Sequence, residues 1–163
     1  MAESLCYTAM KKFKARYGEI PKVSDREYFT NSIHVPVWED ITCISKINVE
    51  SQLTGYSSAG CITYVELDGG IKNNLQALET IILYAMEKDI PYFAVNVPID
   101  TCMDCGYTDE LNDTCPQCGG HNIYRIRRVT GYLTGNYTET FNPGKQAEVH
   151  DRIKHYKGDN YGH

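Results

Sequence analysis

The stretch "CMDCGYTDELNDTCPQCGG", residues 102–120, decides how the rest of this chain is read. It carries Cys102-x2-Cys105, then nine residues, then Cys115-x2-Cys118. Each CxxC is a short knuckle that can aim two thiolates at one ion. Gly106 follows the first pair, Pro116 sits inside the second, and Gly119-Gly120 come after it, so tight turns are available at both. Four thiolates in a tetrahedron suit Zn²⁺, with Zn–S distances of roughly 2.3 Å. Such a set leaves no open coordination position, which predicts a structural ion rather than a catalytic one. Metal binding would also supply folding energy to a segment too small to build its own core.

Two other uses of the cysteines compete with this one. "CGY" and "CPQCG" resemble the rubredoxin family and suggest iron, but the nine-residue gap is short for it. A thioredoxin-type redox CxxC fits less well, because two adjacent pairs satisfy one ion better. The other three of the seven cysteines, Cys6, Cys43 and Cys61, are scattered and read as buried small hydrophobes. In a reducing cytosol paired cysteines point to metal rather than disulfides.

The composition is that of an ordinary soluble chain. Its 163 residues are 42% hydrophobic and 23% charged, with a formal net charge of −5. That balance argues against a general nucleic-acid binder. No apolar run approaches the roughly 18 residues of a membrane span. The N-terminus lacks the layout of a secretory signal. The expected location is the cytoplasm, and the sequons at Asn112 and Asn136 read as chance matches.

Upstream of the cysteines the pattern is α/β. Residues 3–17 place Leu5, Ala9, Met10, Phe13 and Tyr17 at helical spacing, with Gly18 ending the run. "SIHVPVW", residues 32–38, reads as a short strand or extended segment. In "GCITYVELDGG", residues 60–70, Cys61, Thr63, Val65 and Leu67 alternate with Ile62, Tyr64 and Glu66, as a strand requires. Residues 72–88 form the clearest helix, with Leu75, Leu78, Ile81, Ile82, Ala85 and Met86 in one stripe. "IPYFAVNVPI", residues 90–99, reads as a strand covered on both faces. Strand, helix, strand over residues 60–99 predicts one βαβ crossover. A single crossover is thin for a closed sheet, so another polypeptide is expected to complete it.

Downstream, "RIRRVTGYLTGNY", residues 125–137, sets Gly131 and Gly135 among strand-favouring residues. A turn or bulge is one explanation. The basic cluster Arg125, Arg127 and Arg128 lies just after the ribbon, but the acidic run "DELND" inside the ribbon loop argues against phosphate contact. Residues 144–155 read as a short polar helix, and His150 and His155 as solvent-facing. "FNPGKQ" is no P-loop, and the chain has no GxGxxG.

"RRVTGYLTG" after a four-cysteine ribbon, followed by "FNPGKQAEVHDRIKH", resembles the C-terminal end of the anaerobic, class III ribonucleotide reductases. "EYFTNSIHVPV", "GCITYVELDGG" and "IPYFAVNVPIDTCMDCGYTDE" resemble that family in the same order, so the likeness covers residues 25–155. It implies the C-terminal part of a ten-stranded glycyl radical enzyme α/β barrel. Residues 1–100 would complete the barrel, residues 101–122 form the zinc ribbon, and residues 123–163 carry the radical loop and a C-terminal helix. It implies structural Zn²⁺ on Cys102, Cys105, Cys115 and Cys118, and a glycyl radical on Gly131. An activase using S-adenosylmethionine and an iron–sulfur cluster would install the radical. The radical would then generate a thiyl radical on a cysteine, which reduces ribonucleoside triphosphates.

The resemblance also marks what this chain lacks. The nucleotide-binding regions and the thiyl cysteine belong to a large N-terminal core, which would be the partner. Met1 at the start makes a split gene a reasonable expectation. Cys6, Cys43 and Cys61 are the local substitutes for the thiyl position, and Gly135 is the alternative to Gly131. Arg128 and Tyr132 are expected to hold the loop, and His34 to be a buried, hydrogen-bonded histidine or a residue near the substrate. Two other readings remain: a replacement radical module for an oxygen-cleaved enzyme, and a zinc-ribbon binding module without radical chemistry. Formate is the donor the family suggests.

Overall fold

The computed structural model describes residues 2–30, 33–58, 60–129, 132–134 and 137–155. The chain divides into two units, one of residues 1–31 with 98–152 and one of residues 32–97 with 153–163. This division cuts across the expected segment 1–100, because residues 1–31 group with the cysteine-bearing part.

The second unit contains the crossover. Helix α2 (Cys43–Thr54) leads to strand β1 (Thr63–Glu66), a 3-10 turn (Gly69–Asn73), helix α3 (Leu75–Glu87) and strand β2 (Phe93–Asn96). Strands β1 and β2 pair in parallel, with Thr63 opposite Phe93 and Glu66 opposite Asn96. Parallel strands need a crossover connection, and α3 supplies it. Asn74 caps α3 by accepting from the Ala77 amide. Ile81 and Ala85 of α3 join Ile47, Val65 and Leu67 in the core.

Two expectations change here. Residues 33–38 of "SIHVPVW" form no strand. Strand β1 is buried at all four positions rather than at alternate ones. The reason lies at its second face and edge. The Glu66 amide donates to Nδ1 of His155, and the His155 amide donates to the Glu66 carbonyl. His155 is 1% exposed, which corrects the solvent-facing expectation. The polar helix expected to reach residue 155 stops at Asp151. Beyond the helix, Ile153 donates to the Val37 carbonyl and Cys43 donates to the His155 carbonyl.

The first unit holds an antiparallel sheet of order β4-β3-β5-β6, made of β3 (Ile99–Cys102), β4 (Thr108–Asp109), β5 (Ile123–Val129) and β6 (Tyr132–Thr134). Residues 90–99, expected as one strand, thus contribute to two strands in different sheets. Helix α1 (Ala2–Tyr17) buries Met10, and Phe13 meets Phe29 edge-on at 5.6 Å. Helices α4 (Tyr137–Thr140) and α5 (Pro143–Asp151) pack against β5. Among the described residues, no helix is long and apolar enough to cross a membrane.

Candidate functional site

The four cysteines converge because the two knuckles fold alike. Gly106 donates to the Cys102 carbonyl at 2.8 Å, and Gly119 donates to the Cys115 carbonyl at 2.9 Å. The Cys102 amide donates to Tyr107 and the Cys115 amide to Gly120, both at 2.8 Å. Each turn needs a left-handed residue, and Gly106 and Gly119 supply it at φ +78° and +74°. The spacing legible in the sequence is therefore one five-residue turn used twice.

The four Sγ atoms lie within 4.8 Å of one another, so the group could hold a metal ion. Cys102 and Cys118 stand 3.6 Å apart, and Cys105 and Cys115 3.7 Å. A tetrahedron with zinc–sulfur bonds has edges of about 3.8 Å, so the fit is close. Crowding four thiols raises the need for a cation. The Gly120 amide favours the Cys118 thiolate, but the Cys105 and Cys102 sulfurs push that thiol up to about 12. Leu111, 6% exposed, packs against Cys102 and Cys115.

The ribbon is tied to the sheet by charge. Asp100 is fully buried; its Oδ2 accepts from the Leu111 amide at 2.9 Å and from Arg127 Nη2 at 3.1 Å. Arg125 donates to the Asn112 carbonyl and to Asp113. Two of the three clustered arginines thus hold the ribbon loop. Sequence reading put the basic cluster just after the ribbon but foresaw neither its pairing with the loop nor the role of Asp100.

Strand β5 leads from the ribbon to the glycine segment. Strands β5 and β6 are antiparallel, with Arg128 opposite Leu133 and Val129 opposite Tyr132. These last two residues bracket Thr130 and Gly131 in the chain. Gly131 and Gly135 lie outside the described residues. The end of β5 is anchored, since Val129 is 1% exposed and packs with Tyr137, Phe141 and Val149. On α5, Lys145 pairs with Glu148, which also accepts from Arg152 at 2.7 Å. Tyr28 donates to Asp151 at 3.0 Å, and burial together with that carboxylate pushes its phenol up.

The His34 side chain, 8% exposed, lies in the second unit. Its Nδ1 is 3.4 Å from Glu50 Oε2, and its Nε2 is 3.9 Å from Cys61 Sγ. Glu50 also accepts from the Val35 amide at 2.9 Å and from Lys46 Nζ at 2.9 Å. Burial alone would raise the Glu50 carboxyl, but the His34 hydrogen bond and the Lys46 charge hold it at about 2. Cys61 is buried; Cys6 and Cys43 are partly so. Burial pushes the Cys43 thiol up.

Fold and site together define a mixed α/β chain whose antiparallel ribbon carries a four-thiol centre. Comparison with known proteins is consistent with this class and narrows it. The model of the anaerobic ribonucleoside-triphosphate reductase family matches residues 2–155, and the chain belongs to that family. It is 38% identical, over 162 aligned residues, to the anaerobic ribonucleoside-triphosphate reductase of Escherichia coli K12. It is 40% identical to the enzyme of that name from Enterobacteria phage T4. Each alignment covers 94% of this chain but only 22% and 26% of the relatives' lengths. A solved anaerobic ribonucleotide reductase shares the fold, with a TM-score of 0.72 at 22% identity, over 94% of this chain and 23% of its own.

Proposed function

We propose that this chain is the radical-bearing C-terminal part of an anaerobic ribonucleotide reductase, and that Gly131 stores the radical. One observation carries the reading. The family match runs through residues 2–155, so it includes the ribbon, β5 and β6 as well as Gly131. Glycine suits the task because a planar α-carbon radical is delocalised into both neighbouring peptide groups, and no β-carbon crowds it. An activase with S-adenosylmethionine and an iron–sulfur cluster removes one α-hydrogen atom. The radical later takes a hydrogen atom from a cysteine thiol, leaving the thiyl radical that begins ribonucleoside triphosphate reduction.

The thiyl cysteine and the nucleotide sites belong to the remaining part of the enzyme. Two features support such a partner body. Among the described residues, the β1–β2 sheet has two strands. Helix α3 leaves Leu75, Leu83 and Met86 more than half exposed, at 68%, 56% and 67%. Zinc on Cys102, Cys105, Cys115 and Cys118 is structural, and Asp100, which accepts from the Leu111 amide of the ribbon, ties that ribbon to β5 through Arg127. The anchored Val129 holds the strand that precedes Gly131 in the chain.

Electron paramagnetic resonance under strict anaerobiosis tests this. The sample contains this chain, the core chain, an activase, S-adenosylmethionine and a reductant. The expected result is a doublet from one α-hydrogen coupling, absent in Gly131→Ala. Brief air then cuts the chain at Gly131, as mass spectrometry reads. No doublet with an active activase reduces the chain to a metal-stabilised structural module.

A further inference from the structure

We propose that Cys61 is an activated thiol, reactive toward small hydroperoxides, with His34 as its base and Glu50 as the group that orients the base. The radical chemistry proposed above does not use these three residues. A nucleophile within reach of a base, itself held by a third group, is the arrangement that activates a thiol.

The tautomer follows from the carboxylate. Glu50 is fully buried and ionised, so the nearby Nδ1 of His34 carries the hydrogen. The Nε2 lone pair then faces Cys61 Sγ, 3.9 Å away. Transfer of the thiol proton to Nε2 leaves a thiolate and an imidazolium. The imidazolium sits against Glu50, whose other oxygen holds Lys46 Nζ at 2.9 Å. After the transfer the cluster has two positive and two negative groups, so no net charge is buried. The Tyr64 ring lies edge-on to His34 at 6.4 Å and adds no charge.

Size sets the reagent. Cys61 is 4% exposed, so only a molecule near the size of water reaches the sulfur. The thiolate attacks one peroxide oxygen, an S–O bond forms and the O–O bond breaks. The leaving hydroxide takes the His34 proton and departs as water. Sulfur is oxidised by two electrons to a sulfenic acid, and the peroxide is reduced.

The test exposes the metal-loaded full chain to hydrogen peroxide, quenches with catalase, unfolds the protein and alkylates the remaining thiols. Mass spectrometry then reads each cysteine. Cys43 is the internal reference, being more exposed than Cys61 but with its thiol pushed up by burial. Cys61 is expected to disappear faster than Cys43 by a factor on the order of ten to a hundred. His34→Gln removes that excess and leaves Cys43 unchanged. If Cys43 also accelerates, the variant has unfolded there, and the ranking in the unsubstituted chain decides. Loss of Cys61 no faster than Cys43 in that chain overturns the proposal, as does a folded His34→Gln protein with undiminished Cys61 loss.

Discussion

The ribbon and the crossover solve the same problem, burying a small set of residues, by opposite means. The ribbon uses local turns. Two five-residue knuckles, each closed on its first cysteine, bring four sulfurs within 4.8 Å of one another. The crossover uses contacts distant in sequence. Its core joins Ile47, Val65 and Ile81, and β1 is sealed by His155, 89 residues beyond Glu66. A locally built element depends on its ligand and its turn residues. A globally built one depends on side-chain volume and buried charge.

The largest expected effect separates the two. With zinc on the four thiols, as proposed, chelation should remove binding free energy on the order of 10 kcal/mol from the ribbon. Amide hydrogen exchange at residues 102–120 should rise to that of an open chain, while β1 and α3 keep their protection. Equal loss in both regions would break the contrast. Next, Ile47→Ala should cost the crossover about 3 kcal/mol, read as a lower urea midpoint. The four-sulfur centre should keep its metal, as the absorbance of a cobalt-substituted sample would report.

Acid sharpens the comparison further. The Glu50 carboxyl is held at about 2, below its usual 4.5, so its stabilisation is complete above pH 4.5 and fades as pH falls toward 2. The amount is about 3 kcal/mol at most. Acid titration followed at Val65 by nuclear magnetic resonance should show this loss, and Glu50→Gln should flatten it. The smallest effect is in the turns. Gly119→Ala places a side chain at φ +74° and should cost about 1 kcal/mol, with a matching drop in Tm. A larger loss than that from Ile47→Ala would mean that the knuckles are not independent of what surrounds them.

The sequence showed the ribbon plainly because its signal is spacing, and spacing survives in one dimension. It also showed α3, β1 and β2 as elements, although β1 is buried at all four positions and not at the alternate ones its pattern predicts. It did not show α2. That helix buries Lys46, Ile47, Glu50 and Thr54 while exposing Val49 and Leu53, so its hydrophobic pattern points away from its buried face. The usable signals were the Thr42 cap, which accepts from the Ser45 amide at 3.2 Å, and the Lys46–Glu50 spacing.

The chain by itself determined the four-thiol centre, the crossover and the place of Gly131 after the ribbon. Each rests on residue types at fixed short separations, which local backbone geometry translates directly into structure. Tertiary structure alone decided that His155 seals β1, that Asp100 takes Arg127, and that His34 stands between Glu50 and Cys61. These are pairings of polar groups brought together from distant positions. A buried polar group must find a partner, but nothing in its neighbours along the chain says which one.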